Sequence, residues 1–79
     1  MDLRSYRELR GLTLADVAEF LGVSNAKVVH RHEEGSRMPR PALIDKYHKL
    51  TGGAVTVDDF LAVHRRWKKA QARKDKQAA

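Results

Sequence analysis

"TLADVAEFLGVSNAKVVHRHEEG", residues 13–35, holds two short helical patterns separated by a very short break. Thr13 can cap a helix, and Asp16 follows it at capping-box spacing. Leu14, Val17, Ala18 and Leu21 then share one helical face, and Gly22 stops the helix. "VSNAKVVHRHEE" restarts it, with Ser24 or Asn25 as N-cap, and Gly35 ends it. Ala18 lies four residues before Gly22. Two helices that cross tightly need a small residue on the first and a turn residue free to take positive φ. Val23 is placed to plug the turn, and a valine follows on the second helix. Alone, A-x-x-x-G is weak. Between two capped short helices it specifies a tightly crossed pair.

The flanks are helical too. Leu3, Tyr6 and Leu9 recur at about one turn, predicting a first helix over residues 2–10 that Gly11 ends. "SRMPRP" is a loop, because each proline opposes helix at the residue before it. Pro41 suits the first position of a fourth helix, with Leu43, Ile44, Tyr47 and Leu50 on its inner face. "TGG" ends that helix. Thr56 caps a fifth, whose first turn carries Asp58 and Asp59 to complement the helix dipole. Phe60, Leu61, His64 and Trp67 lie on one side of it. "KKAQARKDKQAA", after Trp67, has no large apolar residue and reads as a solvated helix end or a disordered tail. No internal repeat and no strand is expected. The organisation is a domain over residues 1–66 and a basic C-terminal extension over residues 67–79.

Composition narrows the classes. Seventy-nine residues make one domain with a thin core. Without cysteine there is no disulfide, zinc-thiolate site or thiol nucleophile. "MDLRSYRELR" has no apolar signal region, and no apolar run approaches the ~20 residues of a membrane span. A cytoplasmic protein is expected, with no membrane partner. The net charge is +6, unevenly spread: residues 1–35 carry five basic and six acidic groups, residues 36–79 eleven and four. Such an excess favours polyanions, nucleic acid ahead of anionic membrane. The plainer alternative is a tail that only aids solubility.

"YRELRGLTLADVAEFLGVS" (6–24), "HEEGSRMP" (32–39) and "LTGGAVTVDDF" (50–60) together resemble the Cro/CI-type, lambda-repressor-like (XRE) helix-turn-helix family, over about residues 2–64. The resemblance implies an all-α, five-helix lambda-repressor-like DNA-binding domain with an extended basic C-terminal helix or tail. It implies operator binding, usually by homodimers, with the third helix in the major groove. It also implies a structural ion pair between Arg7 on the first helix and Glu33 near the end of the third. Two departures stand out. Many members open the second helix with a glutamine that contacts phosphate, where this chain has Leu14. The turn also holds an extra residue near Ser24–Asn25. Counting forward from Gly22 buries Val28; counting back from "EEG" buries Val29. Val29 is the expectation, placing the third helix at about residues 26–34.

With Val29 inward, steps of 100° bring His32 and Glu33 towards the core and leave Lys27 and Arg31 outward, with Val28 and His30 on the flanks. Base contacts are then expected from Asn25, Ala26, Lys27, Val28, His30 and Arg31. Arginine pairs bidentately with guanine, and Ala26 or Val28 suits a thymine methyl. Ser24, Arg37 and Arg40 suit phosphate. For any single outward residue the plainer alternative is ordinary surface. His30-x-His32 would chelate metal on a strand, but on a helix the two side chains point roughly 160° apart. No metal and no cofactor is expected. Nor is an enzyme, since the glutamates lack a nucleophile, a second carboxylate and a pocket.

Arg65, Arg66, Lys68, Lys69, Arg73, Lys74 and Lys76 make the charge excess. They suit DNA backbone. Alternatively the fifth helix forms a dimer interface with Phe60, His64 and Trp67 as candidates, or Trp67 only covers the monomer's own core. The expected function is a sequence-specific regulator of double-stranded operator DNA. It would be a homodimeric repressor of phage or mobile-element type, potentially autorepressing, with no small-molecule ligand, working in the cytoplasm of a bacterial or phage-infected cell. The alternative is an antitoxin or similar module whose main partner is a protein.

Overall fold

The computed structural model describes the backbone of residues 1–78 and the side chains of residues 1–74. It contains five helices: α1 (Leu3–Arg10), α2 (Leu14–Leu21), α3 (Ala26–Glu34), α4 (Pro41–Thr51) and α5 (Val57–Ala78). No strand occurs among the described residues. Local chemistry sets each boundary. The Asp2 carboxylate accepts the Ser5 N–H at 2.8 Å and starts α1. At α2 the capping box is complete: the Thr13 N–H donates to Asp16 Oδ2 at 2.9 Å, and the Asp16 N–H to Thr13 Oγ1 at 3.0 Å. Those hydrogen bonds hold the Asp16 carboxyl below the usual carboxylate range. Asn25 Oδ1 accepts the Lys27 N–H at 2.8 Å and starts α3. Pro41 opens α4, and the Thr56 N–H bonds Asp59 Oδ2 at 2.8 Å ahead of α5.

The core gathers one to three side chains from every helix. Leu3 and Tyr6 come from α1, Val17, Ala18 and Leu21 from α2, Val29 from α3, Tyr47 from α4 and Phe60 from α5. Fully burying such a side chain stabilises by roughly 1.5–3 kcal/mol. Tyr47 is enclosed at the centre, its ring 4.9 Å from that of Phe60. Leu9 lies off the buried face of α1: it is 69% exposed. Three-residue steps turn the helix by 300°, so the stripe drifts about 60° backwards at each step and Leu9 ends some 120° from Leu3. Phe60 is 3% exposed, which removes it from the dimer candidates. Its position, aligned with Trp67 along α5, is a core position because α4 lies across it.

Gly35 fixes how α5 meets α3. Its φ is 96°, and a Cβ there would lie 2.6 Å from the Val63 carbonyl oxygen. Only glycine allows both the left-handed conformation and this approach. His64 Nδ1 donates to the Gly35 carbonyl at 2.6 Å and stacks on Trp67, with ring centroids 6.3 Å apart. Beyond Trp67 the chain continues as helix, the solvated end rather than a disordered tail. Lys68, Lys69, Arg73 and Lys74 are exposed along it, and the molecule measures 42 × 24 × 23 Å. The Lys76 side chain lies outside the described residues.

Candidate nucleic-acid interface

The turn between α2 and α3 spans Gly22 to Asn25. Gly22 takes φ 74°, and its N–H and that of Val23 satisfy the last carbonyls of α2. Lys46 of α4 also donates from Nζ to the Leu21 carbonyl at 2.9 Å. That contact ties α4 to the end of α2, and no local pattern announces it, because it joins residues 25 apart.

Val29 is completely buried and Val28 is partly exposed, so the rotation of α3 is fixed. The inner face is locked in two ways. Arg7 Nε donates to Glu33 Oε2 at 2.8 Å and Nη2 to Oε1 at 2.9 Å, while Nη1 donates to the Leu12 carbonyl at 3.1 Å. The Glu33 side chain is only 6% exposed. Its hydrogen bonds hold the Arg7 pKa above the ordinary arginine value, so the guanidinium stays charged. Arg4 Nε approaches the same carboxylate at 3.8 Å. Secondly, His32 is 3% exposed, with Nδ1 2.9 Å from the Tyr47 hydroxyl. Burial, aided by the Arg37 charge, lowers the His32 pKa. Burial, aided by the Glu33 charge, raises that of Tyr47. Both groups are therefore neutral at pH 7.

The outer face is open. Lys27 and Arg31 are exposed, and neither takes part in an ion pair among the described residues. Asn25 is exposed, but its Oδ1 is committed to the cap, leaving Nδ2 as its available donor. Ala26 is half-buried beside it. His30 sits on the flank towards α1 and pairs with Glu34 at 3.4 Å. Val28 sits on the other flank, over a groove of about 400 Å³ between α3 and α4 that Arg37 and Arg40 also line. Ser24, Arg37 and Arg40 are all exposed. The structure thus brings Val28, Arg37 and Arg40 together on one side of α3 and sets His30 apart on the other. Leu14 shares a small hollow with His30, Arg7 and Arg4.

Two capped helices crossing at a small residue and a left-handed glycine, with the second presenting an unpaired cationic face, define a helix-turn-helix scaffold. The family profile described as "Helix-turn-helix domain" matches residues 2–58. The chain belongs to that family of DNA-binding modules. No curated protein and no solved structure matches the chain. Among the described residues no helix is long and apolar enough to cross a membrane, and no group of three or more histidines and acids is placed to hold a metal ion.

Proposed function

We propose that the protein is a sequence-specific, double-stranded-DNA-binding transcriptional regulator of Cro/CI type, a homodimeric repressor that reads the major groove with α3. One observation carries this reading: the α3 face opposite Val29 presents Lys27 and Arg31 unpaired, while the face around Val29 is locked by Glu33 and His32. A cationic face held rigidly at a fixed rotation suits base recognition, because a bidentate contact needs both donors aimed at once. Arg31 takes guanine O6 and N7, and Lys27 a neighbouring acceptor. Asn25 Nδ2 and Ala26 enter the groove first, and Ser24, Arg37 and Arg40 hold phosphate. His64 and Trp67, half-exposed on α5, anchor the dimer. Two such helices about 34 Å apart would read the halves of a partly palindromic operator.

Footprinting on selected DNA tests this reading. Protected half-sites one helical turn apart are expected, and Arg31→Ala should relax preference at one base position by ~1–3 kcal/mol. Binding no tighter than to random DNA at physiological salt would favour the alternative, a module whose main partner is a protein.

A further inference from the structure

The groove between α3 and α4 has a composition that backbone contacts do not need. Val23, Val28, Met38 and Leu43 form its walls, and Arg37 and Arg40 stand at its rim. His32 reaches it from the core. The residue is 97% enclosed, at 3% exposure, and only Nδ1 finds a protein partner, the Tyr47 hydroxyl. Among the described residues every fully enclosed side-chain nitrogen or oxygen is hydrogen-bonded. His32 Nε2 has no such partner among the described residues, so it keeps some access to solvent, and the groove is where His32 reaches the surface.

Hydrogen-bond bookkeeping assigns its proton. Tyr47 is completely buried, and among the described residues its hydroxyl has no hydrogen-bond partner other than His32. A buried hydroxyl proton left without an acceptor is costly, so the Tyr47 O–H donates to Nδ1. In the neutral ring Nε2 then carries the hydrogen and is a donor. The Ala42 N–H, in the first turn of α4 beside the groove, also lacks a partner, as the opening amides of a helix do. Arg40, the N-cap, makes no side-chain cap bond to these amides. The groove therefore has donors in its lining, His32 and the first turn of α4, and two guanidinium-bearing residues beside apolar walls.

We propose that the α3–α4 groove is a binding site for a small carboxylate with a short apolar body. The carboxylate sits between His32 Nε2–H and the two guanidinium groups, and the apolar body lies along Val23, Val28, Met38 and Leu43. A phosphodiester fits this place poorly. It carries chain on both sides and cannot descend to a donor at the floor, whereas a carboxylate has one attachment. The site adjoins Val28 of α3, and its arginines are the proposed phosphate contacts. Occupancy would therefore release DNA. That coupling rests on the DNA-binding reading; the binding itself does not.

The test uses the free full chain with hexanoate as probe, and acetate, hexanamide and inorganic phosphate as controls. Saturable NMR shifts are expected at the Val23, Val28, Met38 and Leu43 methyl groups and at the His32 imidazole nitrogens. Hexanoate should bind at least about tenfold more tightly than acetate or hexanamide, and Arg37→Gln or Arg40→Gln should weaken it by about that factor. Both arginines are exposed, so these variants keep the fold. Absent or non-saturating shifts overturn the proposal. So does hexanamide binding as tightly, acetate or phosphate binding as tightly, or indifference to both arginine variants. A separate competition against DNA reads the coupling: binding without release sinks the coupling and leaves the site standing.

Discussion

Residues 13–35 and residues 67–78 are both largely helical, but for different reasons. In the first stretch every boundary has a cap, and its buried apolar side chains belong to a core shared with the other helices. In the second nothing large and apolar follows Trp67, and the helix persists as a continuation of a segment whose other end is anchored by Phe60 and His64. One segment is held by tertiary contacts, the other by propensity and attachment. The difference shows where this chain tolerates change. Specificity requires the first kind of helix, since an aimed side chain needs a fixed backbone. A backbone-following charge can sit on the second.

The largest break in this contrast should come from Glu33→Ala. It leaves the Arg7 guanidinium partly buried without its bidentate partner, and ~3 kcal/mol of stability should vanish in urea titration. Gly35→Ala follows, at about 2 kcal/mol. It forces a left-handed φ on a Cβ and drives that Cβ into the Val63 carbonyl. The variant should melt earlier even though it adds a helix-favouring residue.

A third prediction concerns pH. His32 has its pKa lowered by burial from the ordinary 6.5, so the unfolded chain takes up a proton at a pH where the folded chain does not. Stability from this group is complete above about pH 6.5 and is lost as pH falls through the lower, folded value. The Tm should therefore decline below pH 6.5, before the aspartates titrate. In His32→Phe that decline should disappear, against a constant cost of about 1 kcal/mol for the orphaned Tyr47 hydroxyl. An undiminished decline in the variant would place its origin elsewhere.

The smallest effect on stability should come from the second stretch. Truncation after Trp67 removes no core residue and should change stability by no more than about 0.5 kcal/mol. Its effect should appear instead in the salt dependence of DNA binding, where each lost phosphate contact lowers the log–log slope by roughly 0.9. An unchanged slope would mean that the extension does not touch DNA.

Much of the fold was legible because its determinants are local. Thr13 with Asp16, Pro41, and Thr56 with Asp59 mark helix starts within three residues of sequence, and the first four helices and the start of the fifth stand within a residue or two of the predicted bounds. The inward turn of Val29 could be reached from the "EEG" that follows it, because the helical period carries register forward. Leu9 marks the helix but not its buried face, because a three-residue spacing is not a helical stripe over two turns. Phe60 was misread because sequence separates apolar from polar, not a core from an interface. The Lys46 bond to Leu21 and the reach of His32 to a groove had no signal at all. Both arise where α4 comes to rest, through a proline-bearing loop whose path no residue pattern dictates.

The continuity of α5 has a mechanical meaning. From Trp67 to its end at Ala78 the helix extends ~17 Å in a fixed direction, with no glycine or proline to bend it. A floppy basic tail samples a volume and holds whatever phosphate it meets. A rigid one measures a distance. Its root is the contact between Val63 and Gly35, at the very end of α3. The far end of α5 is therefore joined to the end of α3 through one close approach at a single glycine.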